Sequence, residues 1–579
     1  MASPAATNFR QHSEEIARKF LQTIMVVDDR AFFEEKESAT IPTTVRRPGP
    51  PRFNEGQELT GDVVIASTQE GDNIRPKATA VDNKGSEKAS VDKAHELNAK
   101  KLIGDFAVKG IVCAVIRPKD VEVESLGDKV YPLAESCDIV VFDWVLYGAT
   151  DGGKVKELIS EITKRSSGKE KRLRLIVVYT GQEELADITE QIRITLEAAG
   201  QSNVIANKDY TLETGSVRIA VYAKGYVSVA AENVDLAARV VPIEELADKL
   251  IAEFTDMTMG LVSNVAIGSM AALRSNTHRI LTKFPPDLDA AFLAHRAMLT
   301  QPSDAGNLLV YLIGSELTAI LEGEEVSKLA DEADGSDIIH AWLVMKERGG
   351  HRFGDRFPEL PPANIIDDVM GLLREGVGNE SLRDQLKVFK NNPHKKNLTG
   401  RLCASTVSSA DLEHRFAMLT SIKSDYRVRP PALLPGTLLK RIRQVNGTPE
   451  TSYWVCIQPV CDSVRLTEKR SFPLLHLKAA DDKFDLVLPG EGNTYVRVRV
   501  VYSPHKSIIE DFDPSKDGLQ MVRAEMVDDK YQFQTAGGER YQWLAELKFE
   551  HAQRIANEYA ATISRVGLDE SEWLRRSAG

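Results

Sequence analysis

Four short apolar runs in the first 240 residues, each closed by a polar side chain, limit what this chain can fold into. The runs end, in chain order, at Asp28 and Asp29, at Asp143, at Thr180 and at Lys224. Each run is about four to eight residues long, is rich in Val and Ile, and is separated from the next by helical periodicity. Such runs are typical of buried parallel strands. The sequence therefore predicts an α/β domain organised around a parallel sheet.

The polar residues that close the runs are a chemically related set. Functional groups of open parallel sheets gather at the carboxyl ends of the strands, so the carboxylates, the hydroxyl and the lysine are expected to meet at one edge. Carboxylate oxygens are ligands that Mg²⁺ prefers, and a lysine beside them would offset the charge of a phosphoryl group. The set therefore predicts a site for a divalent cation and a transferred phosphoryl group.

Composition is that of an ordinary soluble protein and argues against some functions. The 579 residues are enough for roughly two to four domains. The net charge of −12 argues against binding a nucleic-acid backbone, which needs a basic face. The five cysteines are few for this length, which fits reduced thiols. No run approaches the roughly 18 apolar residues of a membrane span, and the first residues lack an apolar signal core. We expect a cytoplasmic protein that binds neither nucleic acid nor membrane.

The periodicity divides the chain into three regions. Residues 1–240 carry the α/β pattern, interrupted at about residues 34–90 by a Pro-, Gly- and charge-rich insert that is longer than compact domains usually contain without a use. Residues 241–390 have helical periodicity. Residues 391–579 contain strand patterns and an amphipathic helix predicted over residues 546–565. We therefore expect a helical domain followed by a C-terminal α+β domain of unknown role.

The order of the strand-end residues resembles the receiver domain of bacterial two-component response regulators over roughly residues 20–240. The family's metal-binding acid pair, phosphoacceptor aspartate, hydroxyl residue and strand-end lysine correspond, in this order, to Asp28 and Asp29, Asp143, Thr180 and Lys224. The resemblance implies a flavodoxin-like fold with a five-stranded parallel sheet and a long insert after the first strand.

The resemblance also implies a mechanism. The residues implied to hold Mg²⁺ are Asp28, Asp29, Asp143 and, through its carbonyl, Val145. Asp143 would take a phosphoryl group from a phosphohistidine of a histidine-kinase-like partner, giving an acyl phosphate. Lys224 would offset charge on the phosphoryl oxygens, and Thr180 would hydrogen-bond one of them. Enzymatic activity beyond this self-catalysed transfer and its hydrolysis is not expected.

Three features depart from the family pattern. The insert separates the first strand from the first helix and would border the site. Lys224 is followed by Gly225, where the family usually has proline. The aromatic residue expected three positions before the lysine is replaced by Val221, with Tyr222 one place later. These differences leave the acceptor chemistry in place and put the usual switch mechanism in question.

The two later regions carry no output signature such as a basic helix-turn-helix, a Gly-rich nucleotide loop or a hydrolase motif. We therefore favour a phosphate sink. The layout is similar to the receiver-type phosphate-buffer component of Detocs-like bacterial antiviral defence systems. The partners implied are a histidine-kinase-like protein and a second receiver or effector protein of the same system, and homodimerisation stays open. The alternatives are a phosphorylation-switched regulator with an unrecognised C-terminal effector or binding domain, and a pseudo-receiver scaffold.

Two other groups of residues are weaker candidates for a functional site. His278 and His295 lie in the helical region, where a relay histidine would be found, but they lack the sequence context of such modules. Surface or core positions are the better interpretation. Cys456 and Cys461, upstream of His476, resemble half of a zinc site without a second close pair. An alternating strand face explains these cysteines more simply.

Overall fold

A computed structural model describes most of the chain apart from the predicted insert. The described residues are 9–32, 97–119, 123–167, 172–201, 203–227, 234–333, 336–380, 383–391, 395, 397–403, 408–445, 447–492, 494–516 and 520–564. The insert predicted at residues 34–90 lies outside them. The chain divides into two units, Met1–Gly349 and Gly350–Gly579. The finer division into three regions, at residues 240 and 390, stays a prediction.

The first unit is built on an eight-stranded sheet. The strands of this part of the chain are β1 (Thr23–Val27), β2 (Ala31–Phe32), β3 (Leu97–Asn98), β4 (Val112–Ile116), β5 (Ile139–Phe142), β6 (Arg174–Thr180), β7 (Ile205–Asn207), β8 (Thr211–Thr214), β9 (Val217–Lys224) and β10 (Val240–Val241). Five strands run parallel in the order β4-β1-β5-β6-β9, and β8 and β7 continue antiparallel beyond β9. The short β10 pairs with the end of β9, while β2 and β3 pair separately. The sheet is therefore larger than the five strands predicted.

The strand order places a crevice at the carboxyl edge of the sheet. From β1 the chain crosses to β4 on one side and then returns to β5 on the other. In parallel sheets such a reversal of direction separates the loops that leave neighbouring strands, and ligands bind in the space between them. Val27, the last residue of β1, pairs with Ile116 of β4 and with Phe142 of β5. These three neighbouring strands thus end at the same level.

Helices cover both faces of this sheet. They are α1 (Phe9–Phe20), α2 (Ala99–Val108), α3 (Leu126–Ser136), α4 (Gly153–Ser167), α5 (Leu185–Ala198), α6 (Val234–Ala237) and α7 (Ile243–Thr258). Because side chains alternate along a strand, Val140 and Phe142 of β5 enter the core formed with α3, α4 and α5. Ile139 and Val141 enter the opposite core, formed with α1, α2 and α7. The result is a three-layer α/β/α arrangement, and its central strands are apolar on both faces.

The first unit continues into further helices. They are α8 (Leu261–Leu281), α9 (Asp289–Met298), α10 (Ala305–Gly323) and α11 (Ile338–Arg348), with the strand pair β11 (Glu332–Ala333) and β12 (Ser336–Asp337) before α11. α8 packs along α1. Arg274 of α8 lies 4.1 Å above the ring of Phe20 and donates to Oδ1 of Asp138 at 2.9 Å. These contacts join the start of the helical region to the α/β layers.

One helix bears on the prediction about membrane spans. α10 has 19 residues and a mean hydropathy of 1.2 over its most apolar 18-residue window, so it is long and apolar enough to cross a membrane by length and composition. One such helix is weak evidence of a membrane span and does not contradict the prediction that no apolar run approaches about 18 residues. That prediction relied on uninterrupted apolar runs, whereas α10 reaches its hydropathy with scattered Gly, Ser and Thr residues.

The second unit combines short helices with a large antiparallel sheet. Its elements are α12 (Phe353–Arg356), α13 (Ile365–Glu375), α14 (Leu398–Leu402), α15 (Ser409–Ser421), β13 (Thr437–Val445), β14 (Thr448–Cys456), α16 (Val460–Ser463), β15 (Arg470–Ala479), β16 (Leu486–Pro489), β17 (Tyr495–Val500), β18 (Ile508–Phe512), β19 (Glu525–Val527), β20 (Lys530–Gln534), β21 (Arg540–Glu546) and α17 (Phe549–Ile563). The nine strands follow the order β16-β17-β15-β14-β13-β21-β20-β19, with β18 also paired to β15. Alternating side chains such as Leu438 and Leu439 supply two separate cores.

Candidate functional site

The polar residues that close the strands lie along the carboxyl edge of the first sheet, where Asp28, Asp29, Asp143 and Lys224 form a cluster. β1 and β5 are neighbours, so Asp28 and Asp143 leave adjacent strands at the same level. The N–H of Asp143 donates to the carbonyl of Val27 at 2.9 Å. β6 and β9 are the next two strands of the sheet, and they place Thr180 and Lys224 along the same edge.

Lys224 joins two of the carboxylates. Its Nζ lies 2.8 Å from Oδ2 of Asp143 and 3.2 Å from Oδ2 of Asp28. The three side chains are only 2% to 6% exposed. Because an unpaired charge is costly to bury, the ammonium group stabilises a pair of carboxylates that would otherwise repel each other inside the protein.

Asp29 is the third carboxylate of the acidic cluster, and it is less buried than Asp28 and Asp143. Its Oδ2 accepts a hydrogen bond from the N–H of Tyr147 at 2.7 Å, whereas its Oδ1 is buried without a hydrogen-bond partner. Asp28, Asp29 and Asp143 each offer a carboxylate oxygen, and these atoms lie within 4.8 Å of one another. A buried oxygen that lacks a donor, inside a cluster of oxygen ligands, fits a divalent cation such as Mg²⁺.

The loop after β5 is fixed by Trp144. This side chain is 1% exposed, and its indole N–H donates to the carbonyl of Thr150 at 3.1 Å. Gly152 lies against the ring with a φ of +62°, and a Cβ at this position would come within 2.3 Å of the indole. Glycine is therefore required there. The loop carries Val145, whose N–H donates to Oδ1 of Asp143 at 3.2 Å. With Lys224 on Oδ2, both carboxylate oxygens have a defined donor.

Thr180 is the predicted hydroxyl residue of the site. It closes β6 and its side chain is completely buried. Its Oγ1 accepts a hydrogen bond from the N–H of Gln182 at 3.1 Å. A hydroxyl that accepts through one lone pair keeps its proton for donation to another acceptor. The proton of the Thr180 hydroxyl is therefore available for donation to another acceptor.

The electrostatics of the pocket follow from the burial of like charges. Burial raises the pKa of Asp28 from 3.8 to about 6, with the Asp143 carboxylate adding to this shift and the Lys224 ammonium opposing it. Burial also raises the pKa of Asp29, against the hydrogen bond from Tyr147. Burial alone would lower the pKa of Lys224, but the two carboxylates outweigh it and raise that pKa above its ordinary value. The lysine stays charged, while Asp28 and Asp29 ionise less readily.

We expect Asp28→Asn to stabilise the metal-free protein, and more so at neutral than at acidic pH. Because the pKa of Asp28 in the folded state is about 6, the folded protein binds this proton more tightly than the unfolded chain does. Wild-type stability therefore falls as the pH rises through about 6, and the asparagine variant avoids this loss. The shift corresponds to at most about 3 kcal/mol at neutral pH. Urea unfolding in EDTA at about pH 5 and about pH 7.5 measures the difference.

Asp151→Asn is the matched control for this experiment. Asp151 is exposed and lies on the same loop as Trp144, so its substitution should change stability equally at both pH values. Added Mg²⁺ should stabilise the wild type and have a smaller effect on Asp28→Asn. If Asp28→Asn gains the same free energy of unfolding at both pH values, Asp28 does not titrate in this range.

Two site residues were not assigned a role from the sequence. Tyr147 has a left-handed backbone with a φ of 56°, which brings its N–H to Asp29. Trp144 holds the loop that carries Val145. The sequence pattern that could have pointed to these two residues is a tryptophan directly after Asp143 followed by glycines at positions 148 and 152. Such a pattern indicates a tightly folded loop.

The departures at the end of β9 have a packing explanation. A Cβ on Gly225 would come within 2.7 Å of the Cα of Pro242, so no side chain fits there. Tyr222 enters the core formed with α7, where its hydroxyl donates to Glu253. Val221 is completely buried in the opposite core. An aliphatic side chain therefore occupies the position at which the resemblance led us to expect an aromatic one.

The other candidate residues do not form a metal site in the part of the chain that the structure describes. His278 is exposed on α8, and His295 is half-buried on α9. Cys456 is completely buried at the end of β14, in the core of the second unit, and Cys461 is exposed. The strand interpretation therefore holds for Cys456, on the face of β14 opposite Tyr453 and Val455. It was wrong for Cys461, which lies in the short helix α16. Among the described residues, the grouping of three or more potential metal ligands is Asp28, Asp29 and Asp143.

Comparison with known proteins assigns a family resemblance to part of the chain. Residues 20–229 match the family model of the response receiver domain. Searches of curated proteins and of solved structures gave no match. The matched range contains all five strand-end residues and ends before α6. Receiver domains typically use Mg²⁺ at an acidic pocket and generally interact with histidine kinases. The match therefore supports a phosphoacceptor function of the response-regulator type for this part of the chain.

Proposed function

We propose that this chain is a response-regulator-like phosphoacceptor that takes a phosphoryl group onto Asp143 from a histidine-kinase-like partner. The observation that carries the proposal is the 2.8 Å contact of Lys224 with Asp143, next to a cluster of three carboxylates. A carboxylate nucleophile, oxygen ligands for a cation and a charge-neutralising lysine are the groups that phosphoryl transfer to an aspartate requires.

Asp143 is the proposed nucleophile. One of its carboxylate oxygens attacks the phosphorus of the phosphohistidine, so that an O–P bond forms as the N–P bond breaks. The imidazole leaves with the electron pair and takes up a proton from solvent. The donors Val145 N–H and Lys224 Nζ orient the carboxylate before the phosphodonor arrives. Thr180 then donates a hydrogen bond from its hydroxyl group to a phosphoryl oxygen.

Asp28, Asp29 and Asp143 are the proposed side-chain ligands of Mg²⁺, with the carbonyl of Val145 as a further oxygen ligand. The buried Oδ1 of Asp29, which no hydrogen bond satisfies, supports this assignment. When bound, the cation neutralises negative charge on the phosphoryl oxygens. The role of Lys224 is to keep Asp28 and Asp143 close although their charges repel.

The proposed role of the transfer is a phosphate sink in a bacterial antiviral phosphorelay of the Detocs-like type. Two observations support it. The later regions carry no output motif that we recognise, and Val221 occupies the expected position of the switch aromatic. A sink of this kind would compete with a second receiver or effector protein for the same kinase. The net charge of −12 supports protein partners over nucleic acid. The proposed location of this relay is the cytoplasm.

Two other functions each have an observation in their favour. The nine-stranded sheet of the second unit, with two cores, is larger than a phosphate sink requires. It favours a regulator whose second unit is an effector or binding module switched by phosphorylation. Asp143 is only 5% exposed, which favours a scaffold that no longer accepts a phosphoryl group.

Asp143→Asn is expected to lower phosphoryl uptake by at least about 1,000-fold, because an amide oxygen is a poor nucleophile and carries no charge. The measurement is the intact mass of the protein after incubation with Mg²⁺ and a small acyl phosphate. Asp151→Asn, an exposed carboxylate on the same loop, is the matched control and should retain uptake.

The same samples discriminate among the three functions. Uptake on Asp143 without a new activity or a change in oligomeric state supports the sink. Uptake that produces either of these changes supports the switched regulator. A folded wild-type protein that takes up no phosphoryl group contradicts the proposal and supports the scaffold.

A further inference from the structure

The helices α9 and α10, which we call the arm, have very little buried surface. α10 has 19 residues and a mean hydropathy of 1.2, yet only 6% of its most apolar window is buried. Ala305 is the one buried residue of α10, and α9 has none. Helices that are apolar on most sides normally have their surface covered by protein or lipid. Within the first unit, as described, most of the surface of the arm is uncovered.

The apolar surface that the arm exposes is about as large as the area that one partner buries in a specific interface. Six of its large apolar side chains, 40% to 79% exposed, are Leu293, Met298, Val310, Tyr311, Leu312 and Ile313. Residues 310–313 are consecutive, so at about 100° per residue they point in almost every direction around the helix. Together the six expose on the order of 600 Å². Specific interfaces bury about 600 to 1,000 Å² per partner.

The charges around α10 argue against a lipid surface as the cover. Acidic residues precede the helix, lie within it and follow it, at Asp304, Glu316, Glu322, Glu324 and Glu325. Helices that bind or cross membranes are usually flanked by Lys, Arg, Trp or Tyr residues, which interact with the headgroups. Acidic ends would instead be repelled by anionic lipids.

The arm is suited to pairing with itself. The middle of the arm, residues 297–315, has Asp304 as its one charged residue, and Asp289, Arg296, Glu316 and Glu322 lie outside this stretch. Two arms can therefore face each other about a twofold axis with few like charges opposed. Two helices from each copy form a four-helix arrangement, which covers several sides of α10 at once. We propose that α9 and α10 pair with the same helices of a second copy, so that the protein is a homodimer through the arm. This proposal does not depend on phosphoryl transfer.

The test is sedimentation equilibrium of the full chain from nanomolar to micromolar concentration. The wild type is expected to be a dimer, and the double variant Val310→Lys/Ile313→Lys should weaken dimerisation at least about 100-fold, since it buries unpaired charges in the interface. Both residues are exposed in one copy, at 72% and 43%, so the variant should keep its fold. Circular dichroism and the unfolding transition verify this.

Ile194→Lys is the matched control. Ile194 is 53% exposed on α5, outside the arm, and its substitution should leave the dimer intact. A wild type that is monomeric at all concentrations would overturn the proposal. So would a dimer that survives the double substitution or that dissociates with Ile194→Lys. Flotation with phosphatidylcholine–phosphatidylglycerol vesicles tests the lipid alternative, and vesicle binding by a monomer, lost in the double variant, would replace our proposal with a membrane contact.

Discussion

Replacing Lys224 by methionine is expected to lower the free energy of unfolding of the metal-free protein by about 3 to 5 kcal/mol. The ammonium group contacts Asp143 at 2.8 Å and Asp28 at 3.2 Å, and the three side chains are almost completely buried. Methionine keeps the apolar stem of the side chain but leaves two adjacent carboxylates without a counter-charge. Urea unfolding at neutral pH in EDTA measures the loss.

A control and a rescue make this prediction specific. Lys100→Met changes an exposed lysine at the start of α2, and it should alter stability by less than about 0.5 kcal/mol. Mg²⁺ should restore more stability to Lys224→Met than it adds to the wild type, because it supplies the missing positive charge. If Lys224→Met loses less than about 1 kcal/mol in EDTA, the lysine is not the counter-charge of the two buried carboxylates.

Trp144→Ala is expected to destabilise the protein by about 3 to 5 kcal/mol and to slow phosphoryl uptake at least about tenfold. The indole is 1% exposed, donates to the carbonyl of Thr150 and has Gly152 packed against its ring. Truncation leaves a cavity beneath the loop and removes that hydrogen bond. The loop would then no longer hold the N–H of Val145 against Asp143. Urea unfolding and the rate of mass gain with a small acyl phosphate measure the two effects.

Trp144→Phe separates cavity formation from hydrogen bonding. Phenylalanine fills much of the same space but cannot donate to Thr150, so the expected loss is about 1 kcal/mol. Phosphoryl uptake by this variant should stay close to that of the wild type. If Trp144→Ala loses stability as expected but accepts the phosphoryl group at the wild-type rate, the loop does not need Trp144 to orient Asp143.

The sequence allowed a prediction of which residues meet because each of them closes a buried strand. Asp28, Asp143, Thr180 and Lys224 follow apolar runs, and parallel strands of one sheet end at a common edge. What the strand pattern could not predict is the arrangement within the pocket. The contact of Asp29 with Tyr147 depends on a left-handed backbone at Tyr147. The apolar periodicity of a sequence does not reveal such a conformation.

The fold was less predictable where burial and periodicity disagree. The edge strand β7 (Ile205–Asn207) is exposed at all three residues, so it lacks the apolar run by which the central strands are recognised. The apolar pattern of residues 308–321 predicts a helix, and α10 contains it. Its exposure was unexpected, because an apolar helix is normally covered. The C-terminal helix, predicted over residues 546–565, spans Phe549–Ile563 in the described part of the chain.

The measurement that tests the central claim most directly is the location of the phosphoryl group on the chain. The wild-type protein is incubated with a small acyl phosphate in Mg²⁺ or in EDTA, and the modified residue is identified by peptide fragmentation. We predict one phosphoryl group on Asp143, formed in Mg²⁺ and nearly absent in EDTA. A folded protein that gains no phosphoryl group in Mg²⁺, or one that carries it on another residue such as His278 or His295, would contradict the account.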